Sequence, residues 1–234
     1  MNKFKFTLTV LTLLLVFCIS ANAQIYGLAH NGSDGPSTLY EIDPTSGAAT
    51  MIGPTGFERC GGLDYDPVAD KLYATCQRND GSDIGVLIDI DPTTGQGAEI
   101  GPLSCNASTD IAIRNGDRTL FGALFNCSEG NFGLALINKN TGNSNFLGDF
   151  DQEDGCCGNG MAFSLTDTLY LADDISLYIV NQSNGNLITV TNVLYPGSLV
   201  NTPRINAMDL DTSTGEMFVI IVNGGSEYDA PRTN

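Results

Sequence analysis

The densest run of residues able to do chemistry is Asp149, Asp151 and Glu153, followed by Asp154 and Gly155. Carboxylates at alternate positions are how a loop can wrap a calcium ion, which takes about 6–8 oxygen ligands. The EF-hand pattern is not met, because Asp154 stands where that loop needs glycine and Gly160 where it needs glutamate. The segment therefore reads as a calcium clamp of another kind or, more plainly, as a solvated acidic connection. A second acidic motif, Asp43-Pro44-Thr45-Ser46-Gly47, returns as Asp91-Pro92-Thr93-Thr94-Gly95. It has a sufficient local cause: Asp accepts backbone hydrogen bonds, Pro presets φ and Gly takes the positive φ that closes a hairpin. In later copies Asn138 and Asn181 replace Asp, while Lys139 and Gln182 replace Pro. A turn tolerates that exchange and a calcium site does not. The single histidine, His30, has no evident nucleophile or carboxylate beside it, so cysteine or serine catalysis has no base to rest on.

The elements that must position these residues are legible from a repeat. Gly47, Gly95, Gly142 and Gly185 recur at a spacing of close to fifty residues. Five before each stands Ile42, Ile90, Ile137 or Val180, and eight before stands Leu39, Leu87, Leu134 or Leu177. Five after stands Ile52, Ile100, Leu147 or Val190, followed by Gly53, Gly101, Gly148 or Thr191. Each unit opens on Leu72-Tyr73, Leu120-Phe121, Leu169-Tyr170 or Met217-Phe218. The strand before it carries Leu63/Tyr65, Ile111/Ile113, Met161/Phe163 or Met208/Leu210, with the period of two of a strand. Four strands per repeat predict an all-β propeller of four-stranded antiparallel blades over residues 24–234, with about four units plus the start of a fifth.

In such a meander the connections alternate ends. The Asp-Pro-Thr-Gly turns share one end with the short turns 67–70, 115–117 and 165–167. The longer connections 30–38, 77–85, 126–132, 54–60, 102–108, 149–159 and 192–205 gather at the other, where binding surfaces usually sit. Pairing Asp66 with Lys71 sets Leu63 against Ala74 and brings Cys60 one step from Cys76. The same offset brings Cys105 near Cys127, so both pairs are predicted disulfides. Cys156 and Cys157 pair most simply with each other, the alternatives being two free thiols or a bridge to another chain.

Residues 1–23 read as a secretory leader: Lys3 and Lys5, an apolar run over 8–19, then Ala21-Asn22-Ala23 before cleavage at Gln24. Export places the mature chain in a secreted, periplasmic or cell-surface setting, where disulfides persist. The chain carries 10 basic and 27 acidic residues, and the leader removes two lysines and no acids, leaving a net charge of −19. That charge argues against nucleic acid and anionic lipid as partners. No later segment is long and apolar enough to predict membrane insertion.

The succession Gly62-Leu63-Asp64-Tyr65-Asp66-Pro67, Lys71-Leu72-Tyr73-Ala74, Val86-Leu87-Ile88-Asp89-Ile90-Asp91 and Ala98-Glu99-Ile100-Gly101 resembles the repeats of bacterial exported propellers. These include surface-layer propellers with a Tyr-Val-Thr-Asn repeat and uncharacterised extracellular relatives. The resemblance implies that the strand at Leu63 is innermost, with those at Leu72, Leu87 and Ala98 following outward. It makes 54, 102, 149 and 192 the starts of the blade-to-blade links. Joining the first and last pieces gives five strands for one blade, so the propeller is expected to be incomplete at its C-terminal side. Its open blade edge is expected to favour self-association. The expected role is non-catalytic binding or adhesion to an extracellular protein or glycan at the long-loop rim, without a cofactor. The alternative resembles the calcium-dependent lactonase propellers, whose inner-strand acids and amides surround an axial ion. That resemblance implies Asp110, Asn159 and Asn206 as ligands, although the first copy offers only Gly61 and Gly62 there.

Overall fold

The structure is a computed structural model, described over residues 24–30, 35–82, 84–104, 108–125, 132–150, 160–172, 176–193, 203–211 and 214–223. It is all-β, as the repeat predicts. The strands are β1 (Ile25–His30), β2 (Pro36–Ile42), β3 (Ala49–Asp66), β4 (Lys71–Gln77), β5 (Gly85–Ile90), β6 (Gly97–Pro102), β7 (Ser108–Ile113) and β8 (Leu120–Phe125). They continue as β9 (Phe132–Ile137), β10 (Ser144–Asp149), β11 (Gly160–Phe163), β12 (Leu169–Ala172), β13 (Ser176–Val180), β14 (Leu187–Asn192), β15 (Pro203–Leu210) and β16 (Met217–Asn223). All pairings are antiparallel between chain neighbours. Three blades are complete: the second half of β3 with β4, β5 and β6, then β7 to β10, then β11 to β14. An outer unit of β1, β2 and the first half of β3 precedes them, and the β15–β16 hairpin follows.

The inner strands β3, β7, β11 and β15 lie side by side in that order, which sets the strand at Leu63 innermost in its blade. The first link between blades differs from expectation. Residues 54–60 do not leave the sheet as a loop; β3 runs for 18 residues through both units, absorbing the change of direction in register shifts near Leu39 and between Glu58 and Gly62. A bulge also interrupts the pairing between the two outermost strands of each complete blade. The extra twist it adds turns the outer edge away from neighbouring chains.

The aliphatic repeat positions form the seams between sheets. Leu39 and the half-buried Tyr26, Leu28 and Ile52 pack on Leu72, Ala74, Val86 and Ile88. Tyr73 and Leu87 of the first complete blade meet Ile111, Ile113 and Ile137 of the second. Phe121 of the second reaches Phe163 of the third at 5.4 Å, with Leu134, Phe150, Met161 and Leu171 around them. Ala162 and Ala172 meet Ile205 and Met208. In the three complete blades the aromatic near the start of the second strand thus faces the following unit. Each buried aliphatic is worth about 1.5–3 kcal/mol, so the fold rests on face-to-face stacking.

Candidate functional site

The Asp-Pro-Thr-Gly segments are turns. Asp43 Oδ1 accepts from Thr45 N and Ser46 N at 2.8 Å each, Gly47 N donates to Asp43 O, and Gly47 has φ +70°. Asp91, Asn138 and Asn181 accept in the same way from Thr93, Asn140 and Ser183. Backbone hydrogen bonds hold the Asp43 carboxyl below its usual range, and the Thr93 hydroxyl does the same for Asp91.

These turns and the short inner turns interlock across the seams. The Lys139 ammonium donates to Asp66 Oδ2 at 2.6 Å, while Asp66 Oδ1 accepts from Val68 N and Ala69 N and lies 3.9 Å from Arg118 Nε. Burial alone would raise the Asp66 pKa. The Lys139 hydrogen bond and the two turn amides outweigh it and hold the carboxyl below its usual range. One seam further on, Arg114 donates to Gln182 Oε1 at 2.8 Å, and Gln182 Nε2 donates to Asp167 O. Asp167 in turn accepts from Asn115 N and Gly116 N. Lys139 and Gln182, which replace the prolines of the earlier copies, are therefore the cross-blade links. The recurring glycines follow the same geometry. A Cβ on Gly53, Gly101 or Gly148 would lie 2.2, 2.1 or 2.1 Å from the carbonyl oxygen of Thr94, Thr141 or Asn184 in the next blade's turn. Thr191, at the equivalent place in β14, is exposed.

Along the axis, two carboxylates, those of Asp64 and Asp110, tie inner strands together. Asp64 accepts from Tyr65 N and, across the seam, from Ile113 N, both at 2.6 Å. Asp110 accepts from Ile111 N at 2.8 Å and across the next seam from Met161 N at 2.7 Å. Asp209 accepts from Leu210 N at 2.7 Å. Burial pushes the carboxyl of Asp110 well up; burial and the neighbouring Asp209 charge do so for Asp64. Burial raises Asp209 only to about 6, consistent with a residue that still meets solvent.

Of the residues expected to ligate a metal, Asp110 sits at the inner strand as expected, but each of its oxygens accepts a backbone N–H. Asn206 is exposed on β15 and Asp149 is exposed at the end of β10. Asn159, Asp151 and Glu153 lie outside the described residues. Among the described residues no group of three or more His, Cys, Asp or Glu is placed to hold a metal ion. The acids missed from sequence are Asp64 and Asp209. Their signal was present: Leu63-Asp64-Tyr65 and Met208-Asp209-Leu210 carry an acid where the middle blades have Ala112 and Ala162.

At the long-loop end, Cys60 and Cys76 form the expected disulfide. The link it anchors is fixed further by Thr55 Oγ1 donating to Ser37 O and Cys60 N donating to Ser37 Oγ, both at 3.0 Å. Exposed Arg59 donates to Gln77 Oε1, and Arg78 pairs with Glu99. Cys105, Cys127, Cys156 and Cys157 lie outside the described residues, as do 31–34, 126–131, 151–159 and 194–202 of this end.

No known protein family and no curated protein sequence matches the chain. Solved structures do. A chain of a nidogen–laminin complex superposes with a TM-score of 0.55 at 14% identity, over 86% of this chain and 74% of that one. The gluconolactonase XC5397 of Xanthomonas campestris gives 0.51 at 10% identity, over 83% and 68%. A Bacteroides uniformis protein provisionally named a 6-phosphogluconolactonase gives 0.45 at 16% identity; the present chain spans 61% of its length. At such identities the likeness bears on fold, and the fold it supports is the β-propeller.

Proposed function

We propose that this protein is an exported, non-catalytic binding module that recognises an extracellular protein or glycan through the long-loop end of its blades. The observation that carries this reading is how polar groups are distributed. At the turn end and along the axis, Asp64, Asp66, Asp110, Lys139, Asp167 and Gln182 are engaged with neighbouring blades. At the other end, exposed Arg59 stands on a covalently fixed link, and Arg78, two residues after Cys76, pairs with Glu99 of β6, which together make a rigid base for recognition. Fold alone does not choose a function, since gluconolactonases and a protein of a nidogen–laminin complex share it.

A second reading is calcium-assisted lactone hydrolysis, favoured by one observation: Asp209 and Asp64 are electrostatic neighbours on the axis, and Asp209 reaches solvent. The set fits a metal poorly, because Asp110, the ligand that the reading needs, already holds two strands together. Immobilised mature protein probed against arrays of extracellular proteins and glycans tests the first reading, with Arg59→Ala and Arg78→Ala expected to weaken whatever binds. Ligands retained by both variants would overturn the placement. Glucono-δ-lactone turnover that requires calcium and disappears in Asp209→Asn would install the second reading instead.

A further inference from the structure

In every complete blade the second strand is enclosed between two others. β4 pairs with β3 and β5, β8 with β7 and β9, and β12 with β11 and β13; nearly all their residues are buried. By the repeat, β16 is that same strand of its blade: Met217-Phe218 stands where Leu72-Tyr73 and Leu120-Phe121 stand. Among the described residues β16 pairs only with β15. Val219, Ile220 and Ile221 are 41%, 44% and 37% exposed, and the strand contains no charge and no proline. An edge of this kind lacks the devices that normally prevent pairing with another chain.

The same repeat identifies a match for it. β1 is also a second strand, aligned with β4 and β16, and among the described residues it pairs only with β2. Its missing neighbour is on its inner side, the side that β3 covers for β4 and β7 covers for β8. Among the described residues β16 lacks an outer neighbour. The two vacancies are complementary, and Ile25-Tyr26-Gly27-Leu28-Ala29-His30 is, like β16, free of carboxylates in a chain that otherwise carries a large negative charge. Uncharged edges are where two such chains can approach without repulsion.

We infer that β16 of one copy adds to β1 of a second copy, giving a continuous sheet ordered β15, β16, β1, β2, β3 across the junction. Both strands run in the same sense within their blades, so the junction is parallel where the two copies keep the same orientation. It is head-to-tail, and it closes into a ring or continues as a chain according to the rotation per copy.

Sedimentation of the mature chain from low to high micromolar concentration tests this. The expected result is a mass of twice that of one chain or more, falling to one chain on dilution. Ile220→Lys and Ile221→Lys, each on the exposed edge, should give the single-chain mass throughout with an unchanged melting temperature. Ile188→Lys, an apolar residue of β14 that is 64% exposed, should associate like the parent. A monomer at every concentration would overturn the inference. So would association that survives both β16 substitutions, or that Ile188→Lys disrupts equally.

Discussion

The two ends of the blades are held together by different chemistry. At the turn end the seams up to the third complete blade are crossed by side chains or by backbone contact: Lys139 to Asp66, Gln182 to Arg114, Asp167 to Asn115 and Gly116, and glycines flat against the next turn's carbonyl. At the loop end, the connection 54–60 is held by the Cys60–Cys76 bond and by Ser37 and Thr55 hydrogen bonds within the same region. Short turns can interdigitate because their geometry is fixed by φ-specific residues, so a partner one blade away is always at the same distance. Long connections vary, and a covalent bond holds what repetition cannot. The lesson is that the turn end cannot change without cost to stability, whereas the loop end can vary its polar residues once its base is fixed.

The sharpest way to break the turn end is to fill a glycine seam. Gly101→Val should cost about 4 kcal/mol, because even a Cβ would overlap the Thr141 carbonyl and backbone cannot step aside as a side chain can. Chemical denaturation measures it, and Thr191→Val in β14 is the tolerant control. Replacing both Cys60 and Cys76 by Ser should cost about 3 kcal/mol, the value expected for a loop of 16 residues, with the largest loss of hydrogen-exchange protection in 54–60. Lys139→Met should cost about 2 kcal/mol. Asp66 is then left with Arg118 and two amides, a milder outcome than a wholly unpaired buried charge. Adding Asp66→Leu should recover part of that loss, which a double-mutant cycle would quantify.

The axis supplies the smallest effect and a sign. Asp209 has a folded pKa near 6 against 3.8, so between those values the native state holds a proton that the unfolded chain does not. Stability from this group is therefore full below about pH 4 and is lost as pH rises through 6. Asp209→Asn should match the parent at pH 4 and melt slightly higher at pH 7.5, by less than ~1 kcal/mol since the residue meets solvent. A variant that melts lower at pH 7.5 would show that the Asp209 charge is stabilised by a group other than the Leu210 amide.

Much of this architecture is legible in sequence because blades are copies. The recurring apolar positions of each repeat predict the seams, Gly47, Gly95, Gly142 and Gly185 predict the turns, and counting register from Asp66 and Lys71 predicts that Cys60 reaches Cys76. What the repeat hides is contact between unlike positions of successive copies. Lys139 and Gln182 look like drift from a proline until Asp66 and Arg114, one blade back, are seen beneath them. Gly53, Gly101 and Gly148 recur visibly, yet the carbonyl that forbids a side chain comes from the next unit. Asp64 and Asp110 stand at different steps of the inner strand, and an alignment of copies shows the acids but not that each is matched to a neighbour's N–H. The continuous β3 is hidden too: Pro54 and Gly56 suggest a loop, but bulges accommodate them within a strand.

The central claim is that the axial carboxylates are braces and that recognition belongs to the loop end. Calorimetric titration of the mature chain with calcium, using magnesium as the reference and following the melting temperature in parallel, tests it most directly. The account predicts no saturable heat that depends on Asp64, Asp110 or Asp209, and equal melting temperatures in the two ions. Saturable, stabilising calcium binding that Asp209→Asn or Asp64→Asn abolishes would contradict it and place an ion on the axis.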